Sequence, residues 1–157
     1  MVASRIRPAT PADVEAASEL VVRLKKLNGE FDPLFAIVDN AGEQSERYLA
    51  EAIKDEGSLV LVCEEKAKIV GVLKADLRDR TFYRPRKEGA IVEFYILPEF
   101  RRKRLGEELI ENAVRALKKR GAEIITAEFP SQNQIAVTFY SKRGFRPLVG
   151  VYATEKV

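Results

Sequence analysis

Apolar positions along the chain follow two periods, and these divide it into helices and strands. In several stretches apolar residues recur every three or four positions, the spacing of a helix with one buried face. Shorter apolar runs bounded by turn residues are typical of strands buried in a sheet. The pattern predicts helices at 11–27, 45–54, 102–120 and 133–142. It predicts strands at 4–7, 58–64, 69–77, 90–97, 124–129 and 148–154.

The order of these elements predicts a mixed sheet. A short polar turn at 65–68 separates two of the strands, which are therefore expected to form a hairpin. Farther along, a strand, a helix and a strand follow at 90–97, 102–120 and 124–129, and such a crossover implies a parallel pair. Neither a repeat nor a linker interrupts residues 1–157, so we expect a single domain.

Capping residues mark the ends of the first helix. Thr10 is a typical N-cap, and Asp13 is placed to reach back to the N-cap backbone. Gly29 is a typical stop signal after the last periodic residue. Irregular structure is predicted at 30–42 and a basic loop at 78–87.

Length and composition narrow the class of protein. With 157 residues, of which 46% are apolar, the chain can bury one sizeable core. No apolar run is long enough for a membrane-spanning helix, and residues 1–11 lack the apolar region of a signal peptide. The single cysteine, Cys63, lies in an apolar run and is predicted to be a buried, inert thiol. Together these features favour a cytoplasmic protein.

The charged and titratable residues exclude several chemistries. A net charge of +3 is too small to argue for nucleic acid as a partner. The absence of histidine removes Ser–His nucleophile pairs and His-based metal sites, and a single cysteine excludes a cysteine-rich zinc site. We therefore expect no metal, and acid–base chemistry that uses carboxylates, tyrosine, lysine or water.

A basic turn joins the strand at 90–97 to the helix that follows it. Arginine or lysine occupies every position from Arg101 to Arg104. The first N–H groups of a helix lack internal partners and lie at the positive end of its dipole, so this turn is a candidate site for an anion such as a pyrophosphate. The alternative is a solvated basic turn that precedes a surface helix.

Two motifs resemble the GNAT superfamily of N-acetyltransferases. Residues 98–106 resemble its acetyl-CoA pyrophosphate loop, which reads Arg or Gln, two variable residues, Gly, one variable residue, then Gly or Ala. Arg101 matches the first position and Gly106 the last, whereas Arg104 stands at the middle glycine. Residues 133–145 are similar to the closing segment of the family, which opens on asparagine and ends on Gly-Phe. In this order, with a strand between them, the two motifs together are a specific signal. With the preceding hairpin and the N-terminal helix, the resemblance covers nearly the whole chain.

The resemblance implies a fold and an activity. The fold is an α/β domain of the α+β type, in which about four helices flank a mixed, mostly antiparallel sheet of six or seven strands with one splayed parallel pair. The activity is transfer of the acetyl group of acetyl-CoA to a primary amine (a protein N-terminus, a lysine or a small molecule) by direct attack in a ternary complex. Dimers are common in the family, so the resemblance also allows a homodimer.

The same resemblance implies which residues bind acetyl-CoA. The backbone of Tyr95 and Ile96 is expected to bind its pantetheine arm and to polarise its thioester. The residues expected to bind the pyrophosphate are Arg101, Arg102, Lys103, Arg104, Leu105 and Gly106. Asn133 matches a position that contacts the arm, although asparagine is equally suited to cap the helix that starts there.

Two residues are expected to move protons. Tyr140 matches the usual general acid of the family, and a phenol pKa of roughly 10 lies near enough to the roughly 8.5 of a thiol for proton transfer to the departing sulfur. Its alternative role is packing of the ring in the core. Glu93, a carboxylate inside an apolar strand, matches the position of the base that removes the amine proton. Its alternative is an ordinary outward-facing strand position.

The sequence says little about the acceptor, which the segments at 28–42 and 78–87 are expected to line. The acidic residues that suit a cationic acceptor are Glu30, Asp32 and Asp39. The arginines that suit an anionic acceptor or a protein are Arg78, Arg80, Arg84 and Arg86. The simpler interpretation is that both segments are solvated loops.

Two other functions compete with acetyl transfer. One is a nucleic-acid-binding module built on 78–87 and 101–104, which steeply salt-dependent DNA binding without CoA binding would favour. The other is a protein of the same fold that binds acyl-CoA as a sensor or scaffold without turnover, an alternative that Arg104 keeps open. Our expectation is the enzyme, with acetyl-CoA and an amine as partners and with neither nucleic acid nor membrane.

Overall fold

The computed structural model describes residues 5–157, except for the side chains of Arg102 and Lys103. The helices are α1 (Val14–Asn28), α2 (Ala41–Lys54), α3 (Leu105–Lys119) and α4 (Gln134–Ser141). The strands are β1 (Arg5–Pro8), β2 (Ser58–Glu65), β3 (Lys68–Asp79), β4 (Lys87–Ile96) and β5 (Ile124–Ala127). Short 3₁₀ turns lie at Pro11–Asp13, Pro33–Phe35 and Pro98–Lys103.

The strands form one sheet in the order β1-β2-β3-β4-β5. The first three pairings are antiparallel, and β4 pairs with β5 in parallel. The predicted hairpin of β2 and β3 and the predicted parallel pair on either side of α3 are both confirmed. The described residues contain five strands, so the expected number of six or seven is wrong, while the mixed α/β class is confirmed.

Helices cover both faces of the sheet. The middle of β2 and of β3 is buried without alternation, as expected for strands enclosed on both sides. Two successive residues of β4 show which helices lie on which face. The carboxylate of Glu93 contacts Lys25 of α1 and Tyr48 of α2. The ring of Phe94 packs against Phe139 of α4 and beside the first turn of α3, so these two helices lie on the opposite face.

One arginine ties the start of α1 to the sheet. Arg7 in β1 donates to both carboxylate oxygens of Asp13, at 2.7 and 2.9 Å, and to Glu64 in β2 at 2.7 Å. Asp13 also accepts the backbone N–H of Thr10 at 2.7 Å, as predicted for a residue that reaches back to the cap. The hydrogen bonds from Arg7 hold the pKa of Asp13 down at about 2.

Three elements extend beyond their predicted bounds. α2 begins at Ala41 rather than at 45, since Gly42 lies in its exposed first turn and is tolerated there. β3 and β4 continue beyond the predicted strands and shorten the basic loop to 80–86. Arg86 pairs with Asp79 at 2.8 Å across the base of that loop.

The start of α3, the end of β5 and the bounds of β1 also differ from the prediction. The helix expected from 102 begins at Leu105, after the 3₁₀ turn. β5 ends at Ala127 rather than at 129, because β4 leaves it there. β1 spans Arg5–Pro8 where 4–7 was predicted, and Ser4 lies outside the described residues.

The strand predicted at 148–154 is wrong for this structure. Residues 146–157 form no regular secondary structure, and every one of them is exposed. A strand needs a neighbour that supplies backbone hydrogen bonds, and none of the described strands lies beside this segment. The apolar run in the sequence is present, but none of the described strands pairs with it.

The single cysteine is buried, as the sequence predicts. Cys63 is completely buried in β2, and burial raises the pKa of its thiol to about 11, which confirms the buried thiol. Within residues 5–157, no helix has the length and apolar character needed to cross a bilayer.

We expect Arg7→Met to lower the free energy of unfolding by about 2 kcal/mol at neutral pH. The pKa of Asp13 is about 2 in the folded protein, against 3.8 for a free carboxyl group. Its contribution to stability is therefore complete above about pH 4 and is lost as the pH falls towards about 2. Urea unfolding over this range should show the variant and the parent protein converging in acid.

Arg47→Met is the matched control, because Arg47 makes only an exposed pair with Glu43, one helical turn away. Its removal should change stability by less than about 0.5 kcal/mol. A loss in Arg7→Met that stays the same from neutral pH to acid would contradict the role assigned to Asp13.

Candidate active site

A bulge in β4 directs the end of this strand away from β5. Opposite β3, Lys74 pairs with Glu93 and Ala75 with Ile91, which leaves Val92 as an extra residue. The parallel pairing with β5 ends at Ile91. Among the described residues no strand pairs with this edge of β4 beyond Ile91, so its backbone faces a gap.

Tyr95 and Ile96 lie on this unpaired stretch, where the sequence placed them. On the opposite edge of β4, Tyr95 pairs with Val72 of β3 and Ile96 pairs with Gly71. Arg101, in the 3₁₀ turn that follows, folds back onto the strand. Its Nε donates to the Ile96 carbonyl at 2.9 Å, and its guanidinium lies 5.3 Å from the centre of the Tyr95 ring. Arg101 thus fixes the path from the strand into the turn.

Arg104 adopts the backbone conformation that a glycine favours. Its φ of 60° and ψ of 15° are left-handed, and this is the position where the resembling motif has its middle glycine. The side chain turns towards Glu107 in the first turn of α3, with Nε 2.9 Å from the carboxylate. The loop therefore keeps a backbone suited to glycine although it carries an arginine. The side chains of Arg102 and Lys103, also expected at this site, lie outside the described residues.

The first turn of α3 brings backbone donors close to aromatic rings. Leu105 is buried in the core, and Gly106 faces α4. A Cβ at Gly106 would lie 3.4 Å from the Phe94 ring and 3.6 Å from the Phe139 ring, which is ordinary van der Waals contact. The N–H groups of this first turn have no partners within the helix and lie at its positive end.

A cationic cleft opens between the start of α3 and α4. Its volume is about 670 Å³. It is lined by Arg101, Arg104, Gly106, Glu107, Gln134, Ile135, Thr138, Phe139, Lys142 and Arg143. Four of these residues are cations and one, Glu107, is an acid. Glu107 pairs with Arg104 and with Arg143, each at 2.9 Å, so an arriving anion would compete with this carboxylate for the two guanidinium groups.

Tyr140 belongs to a cluster of aromatic rings beside the cleft. Its ring stacks on Phe129 at 5.3 Å and makes edge contacts with Phe139 at 5.2 Å and Phe145 at 5.1 Å. Phe94 of β4 lies 6.4 Å away. Burial raises the pKa of the Tyr140 phenol above its usual range, so the hydroxyl stays protonated at neutral pH. The ring is packed as a core residue, which is compatible with either role considered for it.

Glu93 is not an outward-facing strand residue, because it is 4% exposed and each of its carboxylate oxygens accepts a hydrogen bond. Lys25 donates to its Oε1 at 2.5 Å, and the Tyr48 hydroxyl donates to its Oε2 at 2.7 Å. Burial first, and the Glu93 charge second, raise the pKa of Tyr48 above its usual range, so its hydroxyl remains a donor. The Lys25 side chain is 41% exposed, so its ammonium reaches the buried carboxylate from the solvent side.

A buried cation, Lys74, lies beside this pair. Lys74 is 6% exposed, lies 4.6 Å from the centre of the Tyr48 ring and pairs with Asp76 at 2.7 Å. Ser58 donates to the same carboxylate at 3.0 Å. Every charge in this buried cluster thus has a partner, as its low exposure demands.

Asn133 caps α4. Its Oδ1 accepts the N–H of Ala136 at 3.1 Å, which confirms the capping role predicted for it. The cap places Asn133 at the end of α4 nearest the turn after β5. Contact with a cofactor stays a prediction for this residue.

Three of the four arginines expected to receive an acceptor have partners within the protein, as already described for Arg86. Arg78, which lies in β3, pairs with Glu128, and Arg80 donates to the Pro85 carbonyl at 2.7 Å. Asp32, one of the acidic candidates, accepts the N–H of Leu34 at 2.8 Å and so caps a 3₁₀ turn. These contacts favour the simpler interpretation, in which both segments are structural loops.

Sequence patterns missed four residues that the fold brings to the site. Lys142 and Arg143 add charge to the cleft, and Lys25 and Tyr48 bind Glu93. The signal for the first two was present, since two cations follow the aromatic pair after a single serine. The signal for Lys25 was its place one turn after the buried Val21 of α1. Tyr48 gave no distinct signal, because it falls in the apolar period of its helix together with Leu49 and Ala52.

Two variants separate the backbone of Arg104 from its side chain. Arg104→Gly and Arg104→Ala both remove the pair with Glu107, but only glycine adopts the positive φ without strain. We expect the glycine variant to be the more stable by about 1 kcal/mol. Thermal unfolding of the two variants measures this difference, and equal stabilities would mean that the turn does not hold residue 104 in the left-handed region.

Comparison with known sequences places most of the chain in one family. The family described as "Acetyltransferase (GNAT) family" matches residues 24–145. An uncharacterized N-acetyltransferase of Methanocaldococcus jannaschii is 33% identical over 84 residues. That match covers 54% of this chain but only 37% of the relative, so the chain corresponds to well under half of that protein.

Solved structures of low sequence identity share the fold. The aminoglycoside N-acetyltransferase AAC(6')-Iy in complex with CoA superposes with a TM-score of 0.82 at 14% identity, over 99% of this chain and 96% of the other. Glucosamine-6-phosphate N-acetyltransferase from Arabidopsis thaliana gives a TM-score of 0.71 at 19% identity, over 99% of each chain. The bulged β4, the glycine-type turn before α3 and the match over residues 24–145 lead to one conclusion: the protein belongs to the Acetyltransferase (GNAT) family.

Proposed function

We propose that the protein transfers the acetyl group of acetyl-CoA to a primary amine, by direct attack of the amine in a ternary complex. One arrangement carries the proposal. The unpaired edge of β4 has the buried carboxylate of Glu93 on one face of the sheet and the Tyr140 cluster on the other. The same edge leads into the cationic cleft at the start of α3.

The cleft suits the phosphate groups of acetyl-CoA. Free N–H groups at the start of α3 and four nearby cations offer charge-assisted hydrogen bonds to phosphate oxygens. Glu107 holds Arg104 and Arg143 in place. CoA phosphates entering the cleft would take over these guanidinium groups, and the mutual repulsion of the cations would fall. The CoA complex of a structural neighbour supports this choice of donor.

The unpaired backbone of Tyr95 and Ile96 suits the pantetheine arm. An amide-containing arm could pair with a free strand edge as another strand would. The Ile96 carbonyl already accepts from Arg101, so the remaining backbone groups of the stretch are the ones proposed for the arm and for the thioester oxygen.

Glu93 is proposed as the base that receives the proton of the amine. A primary ammonium, that of Lys25, already lies on its carboxylate, which supports recognition of an ammonium-type acceptor at this point. Lys25 is on a long side chain that is partly exposed, so it can swing out and leave the carboxylate to the acceptor. Tyr48 holds the second oxygen and fixes the carboxylate.

Tyr140 is proposed to donate to the departing sulfur. In the reaction the amine nitrogen forms a bond to the carbonyl carbon, the C–S bond breaks, and the thiolate of CoA needs a proton or a strong hydrogen bond. Because burial raises the pKa of Tyr140, its hydroxyl keeps its proton at neutral pH and is available as a donor. No covalent intermediate on the protein is required, in keeping with the buried position of Cys63.

Calorimetric titration with acetyl-CoA tests the cleft. We expect the double variant Lys142→Gln/Arg143→Gln to bind at least about tenfold more weakly than the parent protein, because two donors to phosphate are lost. Lys118→Gln/Lys119→Gln removes the same charge from the exposed far end of α3 and should bind as the parent does. Equal affinity in both variants, or no binding to the parent at millimolar acetyl-CoA, would contradict the placement of the donor.

Release of CoA thiol with a panel of amines tests the chemistry. The panel comprises a polyamine, a lysine peptide, a peptide with a free N-terminus, an aminoglycoside and an amino sugar phosphate. With any amine that reacts, we expect Glu93→Gln and Tyr140→Phe each to lower kcat by about 10²-fold or more, because a proton-transfer group is lost. Acetyl-CoA affinity should change much less than kcat, since neither residue lines the cleft proposed for its phosphate groups.

Glu88→Gln is the matched control, because it makes the same substitution at the other end of β4. It should retain the activity of the parent. Acetyl-CoA binding with no transfer to any amine in the panel would favour the sensor instead, and unchanged kcat in Glu93→Gln would remove this residue from the mechanism.

A further inference from the structure

Lys25 lies on the buried side of α1. It follows Val21, which is 2% exposed, by four residues and precedes Asn28, which is 9% exposed, by three. Residues at these spacings share one face of a helix, so the stem of Lys25 lies towards the sheet, whereas its neighbour Lys26 is exposed. A cation on an inward face requires a partner, and for Lys25 this partner is Glu93 of β4.

The ammonium of Lys25 occupies the point at which the proposed acceptor amine would lose its proton. Its Nζ lies 2.5 Å from Oε1 of Glu93, and the side chain is reached from the solvent side. The other oxygen of Glu93 accepts from Tyr48, which holds the carboxylate in place. Lys25 therefore offers what the proposed reaction requires of its acceptor, a primary amine in contact with the base.

Lys74, the other lysine of this cluster, lies in a different position. It pairs with Glu93 in the register of β3 and β4, so it lies on the edge of β4 that faces away from the gap. Its ammonium is held by Asp76 at 2.7 Å and lies 4.6 Å from the centre of the Tyr48 ring. Lys74 is thus closed off from a thioester in the gap, whereas Lys25 approaches Glu93 from the open side.

We propose that the protein acetylates its own Lys25 when acetyl-CoA is bound and no amine acceptor is present. The inference rests on the proposed function, because it uses the same thioester, base and proton donor. The thioester is proposed to lie along the stretch of β4 that is unpaired after Ile91, and Glu93 belongs to this stretch. An amine that the protein already holds at the base needs no encounter with a second substrate, which removes much of the entropic cost of reaction.

The step is the formation of one amide bond. Glu93 takes a proton from the ammonium of Lys25, and the lone pair freed on Nζ forms a bond to the carbonyl carbon of the thioester. The C–S bond breaks with its electron pair on sulfur, and Tyr140 donates a proton to the thiolate. Overall the ammonium loses two protons, of which one ends on the sulfur of CoA and one is released to solvent. Acetyl-CoA is the only co-reactant.

Acetylation removes the ion pair at the base. The amide nitrogen of acetylated Lys25 carries no charge and is no longer a nucleophile, so the reaction at this site stops after one acetyl group per chain. Glu93 then keeps only the hydrogen bond from Tyr48. An external amine that binds to the carboxylate displaces Lys25 and protects it, so the modification depends on whether the acceptor site is occupied.

Mass spectrometry after incubation with acetyl-CoA alone is the first test. Fragmentation of the peptides should show acetylation of Lys25 at a rate at least about tenfold higher than that of Lys26. Lys25→Arg should abolish this modification and keep the charge. Lys26→Arg is the matched control and should retain it, since Lys26 is the exposed next residue of the same helix. The rate per chain should not depend on protein concentration, because each chain modifies itself.

Two variants distinguish an enzymatic reaction from spontaneous acetylation. Glu93→Gln keeps an oxygen that accepts from Lys25 but removes the base, and Tyr140→Phe removes the proton donor. Each should slow the acetylation of Lys25 by about 10²-fold. The same rate at Lys25 in the parent protein and in both variants, or a rate at Lys25 no higher than at Lys26, would overturn the proposal.

The amine panel separates this inference from the proposed function. A reactive amine at saturating concentration should lower the rate of Lys25 acetylation at least about tenfold, because the amine replaces Lys25 at Glu93. Transfer to an amine with no modification of Lys25, even when the amine is omitted, would refute self-acetylation and leave the proposed function standing. Absence of both reactions in a protein that binds acetyl-CoA would refute both.

Discussion

The departure of β4 from β5 is the constraint on which the rest of the site depends. The extra residue at Val92 ends the regular pairing, and from there β4 has one edge without a neighbour. A sheet that stayed paired would have no free backbone at its centre and no gap between the helices on its two faces. The strand then passes through the turn fixed by Arg101 into α3, so the gap and the positive end of that helix are joined.

Charge is distributed around this gap according to burial. On the α1 and α2 face, the buried carboxylate of Glu93 and the buried ammonium of Lys74 each have a close partner, since an unpaired charge there would be costly. In the open cleft, by contrast, cations outnumber the single acid Glu107 and are stabilised by water until a ligand replaces it. One half of the site is buried and has its charges paired, whereas the other half is open and positively charged.

The sequence predicted the structural elements that depend on local patterns. The period of α1, the short turn between β2 and β3 and the crossover through α3 each depend on residues close together in the chain, and all are present. It could not predict that Lys25 and Tyr48 meet Glu93, because that contact depends on the angle at which two helices cross a third element. The strand expected at 148–154 shows the same limit, since a run of residues that favour strands forms one only where a neighbour supplies hydrogen bonds.

Glu93 and Phe94 are consecutive, yet one side chain meets an ammonium and the other an aromatic cluster. Successive residues of a single strand thus contribute to the charged side and to the aromatic side of the site. A deletion of one residue from β4 after the bulge would bring a phenyl ring to the charged face and a carboxylate to the aromatic one. Insertions in the loop at 80–86, which connects β3 and β4, leave that alternation intact. The length of this loop can therefore vary, whereas the length of β4 cannot.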